Sequence, residues 1–249
     1  MISVKDQVSE EEWEVRCSLA ASYRMAAQLG WDDLIFTHFS VRVPGPEHHF
    51  IINPFGLFFE EITASSLLKV DLGGNLVMPS DYLFNPAGFV IHGAIHSGRE
   101  DALCIMHTHT VEGMAVASQE RGLLPLTQTS LSVGSDLAYH DYEGIVLDAP
   151  ERERLLPNIG EKNNVIFKNH GLMAIGRSVG AAFLRLFTLQ KACEAQIMAQ
   201  AGGGGLLTLS QEVQDRVHTQ VLFTEEILNT LNWQAIIRKA DRDFPNYKT

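Results

Sequence analysis

Apolar and polar positions change period several times along this chain, and each change marks a predicted element. Trp13, Cys17 and Ala20 fall at helical spacing. Ser9 stands as the N-cap of that helix, Glu12 completes a capping box, and Gly30 stops it. Strand patterns follow in "LIFTHFSVRV", up to Pro44, and in "HHFIINP". "LLKVDLGGNLVM" reads as a hairpin turning on Gly73-Gly74-Asn75. Pro86 suits the first turn of a helix running to about Arg99. "ALCIMHTH" is a short apolar strand, followed by a helix over about 111–120. The stretch 125–148 is mixed, with "LAYHDYEGIVLD" its most strand-like part. "NVIFKNHGLMAIG" predicts two short strands around a turn at His170-Gly171. Ser178 opens a long helix to about Ala201, closed by Gly202 to Gly205, and 208–243 is helical with a polar face.

Strands mixed with helices, with a hairpin among them, predict an α/β fold whose sheet is mixed or largely antiparallel and covered by helices. No repeat or interdomain linker interrupts the pattern. Residues 1–249 therefore read as a single domain, with 206–249 a C-terminal helical extension. The formal net charge of −11 argues against a nucleic-acid partner, which calls for clustered Lys and Arg. Cys17, Cys104 and Cys193 are isolated and odd in number, so neither a disulfide framework nor a thiolate zinc site is expected. The first residues lack a signal-peptide pattern, and no apolar run approaches the ~20 residues that span a bilayer. The expected setting is cytoplasmic, away from membranes.

The chemistry concentrates in histidine. Side chains at i and i+2 of a strand share a face, so His107 and His109 project together, about 7 Å apart at Cα. Such a pair can share one metal ion, or serve separately as a polar loop contact and a hydrogen-bonded core residue. His170, at the end of another strand beside Gly171, is a third candidate ligand; three neutral imidazoles leave further positions open to water or substrate. His92 and His96 form an i,i+4 pair on one helix face, fit to line a pocket or support the ligands by hydrogen bonds. His38, His48, His49 and His218 carry no spacing signal. Thr110 is placed to cap the helix after the ligand pair, and Glu112 to complement its dipole, with replacement metal ligand as its second reading.

The segments "THFSVRVPG", "INPFGLFFEEITASSLLKVDLGGN", "NPAGFVIHGAIHSGREDALCIMHTHT", "GLLPLTQTSL", "AYHDYEGIVLD" and "VIFKNHGLMAIGRSVGAAF" run in order over about residues 12–205. In them the chain resembles the class II aldolase/adducin family. The resemblance implies a three-layer α/β/α domain with a central, mainly antiparallel sheet. It also implies a divalent metal held by His107, His109 and His170, and a homo-oligomer, dimeric or tetrameric, with active sites at subunit interfaces. Three departures stand out. Gly88 falls where sugar-phosphate aldolases of the family carry a glutamate that is both metal ligand and catalytic base. Pro86 and Ala87 replace their phosphate-binding serines, and Thr37-His38 replaces their Gly-Asn phosphate turn. In "NPAGFVIHGAIH" and "AYHDYEGI" the chain is closer to the adducin head and its bacterial relatives.

These features point to a metal-dependent lyase acting on a small unphosphorylated oxo, hydroxy or phenolic carboxylate. The metal, zinc first and manganese or iron as alternatives, would chelate adjacent oxygens. It would also stabilise the enolate left by aldol-type cleavage or decarboxylation. Candidate proton donors are His92, Tyr139, His140, Asp141 and Tyr142. Gly88 would leave a gap for substrate or water, and Arg42 or Lys69 could meet a carboxylate. The alternatives are a non-catalytic module like the adducin head and a non-haem iron oxygenase.

Overall fold

The computed structural model describes residues 3–144 and 149–249, the side chains of 149–153, 222–225 and 228 excepted. Residues 145–148, the end of the strand-like "LAYHDYEGIVLD", lie outside the described residues. Among the described residues, seven strands form one sheet: β1 (His38–Arg42), β2 (Phe50–Ile52), β3 (Leu68–Val70), β4 (Cys104–Thr108), β5 (Leu137–His140), β6 (Asn164–Phe167) and β7 (Gly171–Gly176). Their order is β3-β2-β1-β4-β7-β6-β5. All neighbours are antiparallel except β5 and β6. That parallel pair needs a crossover, which helix α5 (Ala149–Ile159) lies on.

Strand parity sorts the sheet into two faces. Phe39, Val41, Met106, Ile166, Leu172 and Ala174 turn toward α1 (Glu10–Gln28), α3 (Val111–Ala117) and α6 (Val179–Ala201). Ile105, Val165, Phe167, Met173 and Ile175 turn toward α2 (Pro86–Gly98) and α5. The result is the α/β/α sandwich expected. Helices α4 (Gln128–Gly134) and α7 (Gln211–Asp243) complete the set. No helix among the described residues is long and apolar enough to cross a membrane.

Several local expectations are corrected. Ser9 does accept the Glu12 N–H, at 3.2 Å, but the Glu12 carboxylate does not return to the cap. It is buried between Arg16, at 3.0 Å, and Lys69, at 2.7 Å, so Lys69 is committed to an internal ion pair. The Thr110 hydroxyl turns to Gln190 rather than capping α3. The hairpin at Gly73-Gly74-Asn75 shrinks to a single bridge, Val70 to Leu76, because the Asp71 carboxylate gathers the Gly73 and Asn75 N–H groups at 2.8 Å. Helices α4 and α5 stand where no helix was expected. Thr127 caps α4 by accepting the Ser130 N–H at 3.1 Å. Helix α5 carries Pro157 in its interior, which disfavours a helix locally. Burial of Leu155 and Ile159 in the core beneath it compensates.

Candidate metal centre

His107 ends strand β4 but for one residue, and His109 lies just past the strand. His170 sits in the turn between β6 and β7. The left-handed residue of that turn is Asn169, with φ 57°, not the adjacent glycine. Gly171 serves close approach instead: a Cβ there would stand 2.4 Å from the Thr108 carbonyl oxygen and 3.1 Å from the His109 ring. A bare α-carbon thus lets the turn press against the end of β4, bringing His170 to the pair. Nε2 of His107 lies 2.8 Å from Nε2 of His109, which lies 2.9 Å from Nε2 of His170.

Partners on the far side of two rings decide what those nitrogens carry. Nδ1 of His107 faces the Leu172 carbonyl at 2.9 Å, and Nδ1 of His109 faces the Asp33 carboxylate at 3.0 Å. Both oxygens only accept, so in the neutral rings Nδ1 holds the hydrogen and Nε2 is bare. Burial, reinforced by neighbouring histidines, holds His107 well below the ordinary imidazole range. Burial, then His109, lowers His170 to about 4. Two bare nitrogens at 2.8 Å have no hydrogen to share and repel each other. A cation between them removes the conflict, and ligands about 2.0–2.1 Å from one ion at right angles stand about 2.9 Å apart. The donor set therefore fits a divalent metal, with His107, His109 and His170 the residues that would hold it. Among the described residues it is the one group of three such side chains close enough together.

The remaining candidates divide. His92 is buried on α2, with Nε2 2.9 Å from Nδ1 of His38. Tyr142, 52% exposed, stands edge-on to His170 with ring centroids 6.2 Å apart. His140 is buried, bonded at Nδ1 to Asn158, and packs on Phe167, which itself touches His107 and His170. Asp141 is paired with Lys168. Two residues are not brought to the cluster. The Tyr139 hydroxyl accepts the Leu123 N–H at 2.9 Å, on the other side of β5 from His140. Arg42 donates to the carbonyls of His96 and Arg99 at the far end of α2, four residues along β1 from His38. The gap expected at Gly88 is filled: a Cβ there would meet the His38 ring at 2.6 Å.

His38 and Asp33 escaped sequence reasoning. Asp33 is a loop residue without a local signal. His38 carries no spacing signal and enters the sequence reading only at the replaced phosphate turn; its importance comes from register: it pairs directly across from His107, ring centroids 5.2 Å apart.

The fold and this histidine cluster define an α/β/α scaffold with a candidate metal site. The chain belongs to the class II aldolase/adducin family: residues 17–197 match "Class II Aldolase and Adducin N-terminal domain". It is similar to the crystal structure of an aldolase II superfamily protein from Pseudomonas syringae, at 47% identity and TM-score 0.95, covering 99% of each chain. It is also similar to L-fuculose 1-phosphate aldolase from Glaciozyma antarctica, at 27% identity and TM-score 0.82, covering 98% of this chain and 95% of that one. Mouse alpha-adducin is 44% identical over 205 residues, 80% of this chain but 28% of the adducin.

Proposed function

We propose that this protein is a metal-dependent lyase for a small unphosphorylated oxo, hydroxy or phenolic carboxylate. The observation that carries this reading is the convergence of three imidazole Nε2 atoms, with Nδ1 of His107 and of His109 each turned to an oxygen acceptor. A divalent ion held there, zinc before manganese or iron, supplies a Lewis acid for charge developing on a substrate oxygen. Three neutral ligands leave the ion's full charge for an anionic chelate, which favours a carboxylate. The site residues do the rest. Asp33 and the Leu172 carbonyl orient two of the rings, burial of His107 excludes water behind it, and Tyr142 at the exposed edge would give a proton to product. Pro86, without an N–H, and Ala87 offer no hydroxyl to a phosphate. The chain is read as a single domain that assembles into a homo-oligomer.

A second reading is a non-catalytic binding module. The identity with alpha-adducin and the missing carboxylate at Gly88 favour it. Elemental analysis followed by titration calorimetry separates the two. The expected result is one divalent ion per chain and metal-dependent binding of 2-oxo or 2-hydroxy carboxylates. Turnover of such a carboxylate by the loaded protein supports the lyase over the module. Tight metal-dependent binding of a sugar phosphate, with no response to any carboxylate, overturns the proposed substrate class.

A further inference from the structure

A second line of polar side chains runs through the interior beside the metal centre, between the sheet and α2. It starts at the Ala102 carbonyl, which lies 2.9 Å from Nδ1 of His96. Nε2 of His96 is 2.8 Å from the Ser40 hydroxyl, and that hydroxyl is 2.6 Å from Nδ1 of His92. Nε2 of His92 is 2.9 Å from Nδ1 of His38. All four side chains are at most 4% exposed.

The hydrogens along this line have a forced direction. A carbonyl only accepts, so Nδ1 of His96 carries a hydrogen; burial keeps the ring neutral, so its Nε2 is bare. Ser40 must then donate to His96, and its oxygen accepts from Nδ1–H of His92. That leaves Nε2 of His92 bare, and it accepts from Nδ1–H of His38. At the end of the line Nε2 of His38 is a bare acceptor, with no bond from any described residue. The same ring is the cross-strand neighbour of His107 and fills the space over Gly88.

We propose that this line locks His38 as an oriented hydrogen-bond acceptor beside the metal centre, selecting ligands that present a hydroxyl or an ion-bound water to it. His38 is thus a specificity-determining residue, and Gly88 is bare because any side chain there displaces the ring. The acceptor that a carboxylate on α2 would have provided comes instead from β1, without a charge. A neutral acceptor next to the ion leaves the ion's attraction for an anionic ligand undiminished. The selection of ligand rests on the metal reading above; the direction of the line does not.

Two measurements test it. Imidazole 15N–1H correlation spectra of the metal-free protein report which nitrogen of each histidine is protonated. The expected result is hydrogen on Nδ1 of His38, His92 and His96 and none on their Nε2. Hydrogen on Nε2 of His38 in the parent protein overturns the proposal whether or not metal binds. Calorimetry on the zinc-loaded protein then compares a 2-hydroxycarboxylate with its 2-methoxy ether, which cannot donate. One hydrogen bond corresponds to a preference of up to about tenfold, beyond what the ion alone confers. Ser40→Ala, which cuts the line, and Gly88→Ala, which crowds the ring, should each remove that increment while zinc stays at one per chain. An unchanged preference in both variants sinks the proposal. Failure of the metal reading shows separately, as no bound zinc in the parent.

Discussion

Asp33 touches the histidine cluster through one carboxylate oxygen, and its effect is on a ring. Its carboxylate holds His109 with Nε2 aimed at the other two imidazoles. Loss of such an orienting partner typically weakens metal binding about 10–100-fold. Asp33→Ala should do so in a zinc competition titration. The side chain is 43% exposed, so stability should change by less than about 0.5 kcal/mol. His96 makes the opposite kind of contribution. Burial lowers it from an ordinary 6.5 to about 3; the Ala102 carbonyl opposes that shift, and Arg42 adds to it. In the pH interval between these values the unfolded chain takes up a proton that the folded chain refuses. The stabilising contribution is therefore complete above pH 6.5 and is lost as pH falls toward 3. The slope is at most about 1.4 kcal/mol per pH unit for one histidine. Urea unfolding of the metal-free protein from pH 4 to 8 should show this decline, and His96→Gln should make it shallower.

At the scale of the element, the turn between β6 and β7 decides whether three histidines make one site. Asn169 supplies the left-handed residue and Gly171 the close contact with Thr108. Gly171→Ala places a carbon 2.4 Å from a backbone oxygen, which cannot swing aside as a flexible side chain can. The turn must lift from β4, at a cost of about 1–3 kcal/mol, taking His170 away from His109. A lowered unfolding midpoint together with loss of bound metal is expected; full retention of both would contradict this account. The His-Gly pair was visible in the sequence as a turn, but glycine's purpose was not. A positive φ is a local demand that neighbouring residues signal, whereas close approach depends on a strand some sixty residues earlier.

At the scale of the molecule, α7 lies outside the sandwich against α6, α4 and α1. It seats Trp233 over Gly180, where a Cβ would fall 2.6 Å from the indole. Its outer side leaves Ile227 66% and Leu231 58% exposed. Apolar side chains held out by a helix 33 residues long suit burial against a second copy. Light scattering at micromolar concentration should give a mass that is a multiple of 27.6 kDa. Leu231→Glu, which places a charge on that surface, should lower it. A strict monomer in the parent protein would contradict the assembly.

The chain's local periodicities determined α1, α2, α6, α7 and most strands, because helix and strand repeats record which face is buried. The i,i+2 strand spacing likewise put His107 and His109 on one side, and the i,i+4 helix spacing put His92 with His96 on one face. What tertiary structure alone decided is which of these faces meet. The order of the sheet sets β1 beside β4, so that His38 opposes His107 and Ser40 stands between His92 and His96. Tyr139 and Arg42 lie away from His107, His109 and His170, the first committed to the Leu123 N–H and the second to the His96 and Arg99 carbonyls. The folding of α5 around Pro157 belongs there too, since burial of Leu155 and Ile159 overrides the local penalty. Such pairings answer to the packing of distant apolar surfaces, and no spacing along the chain records them.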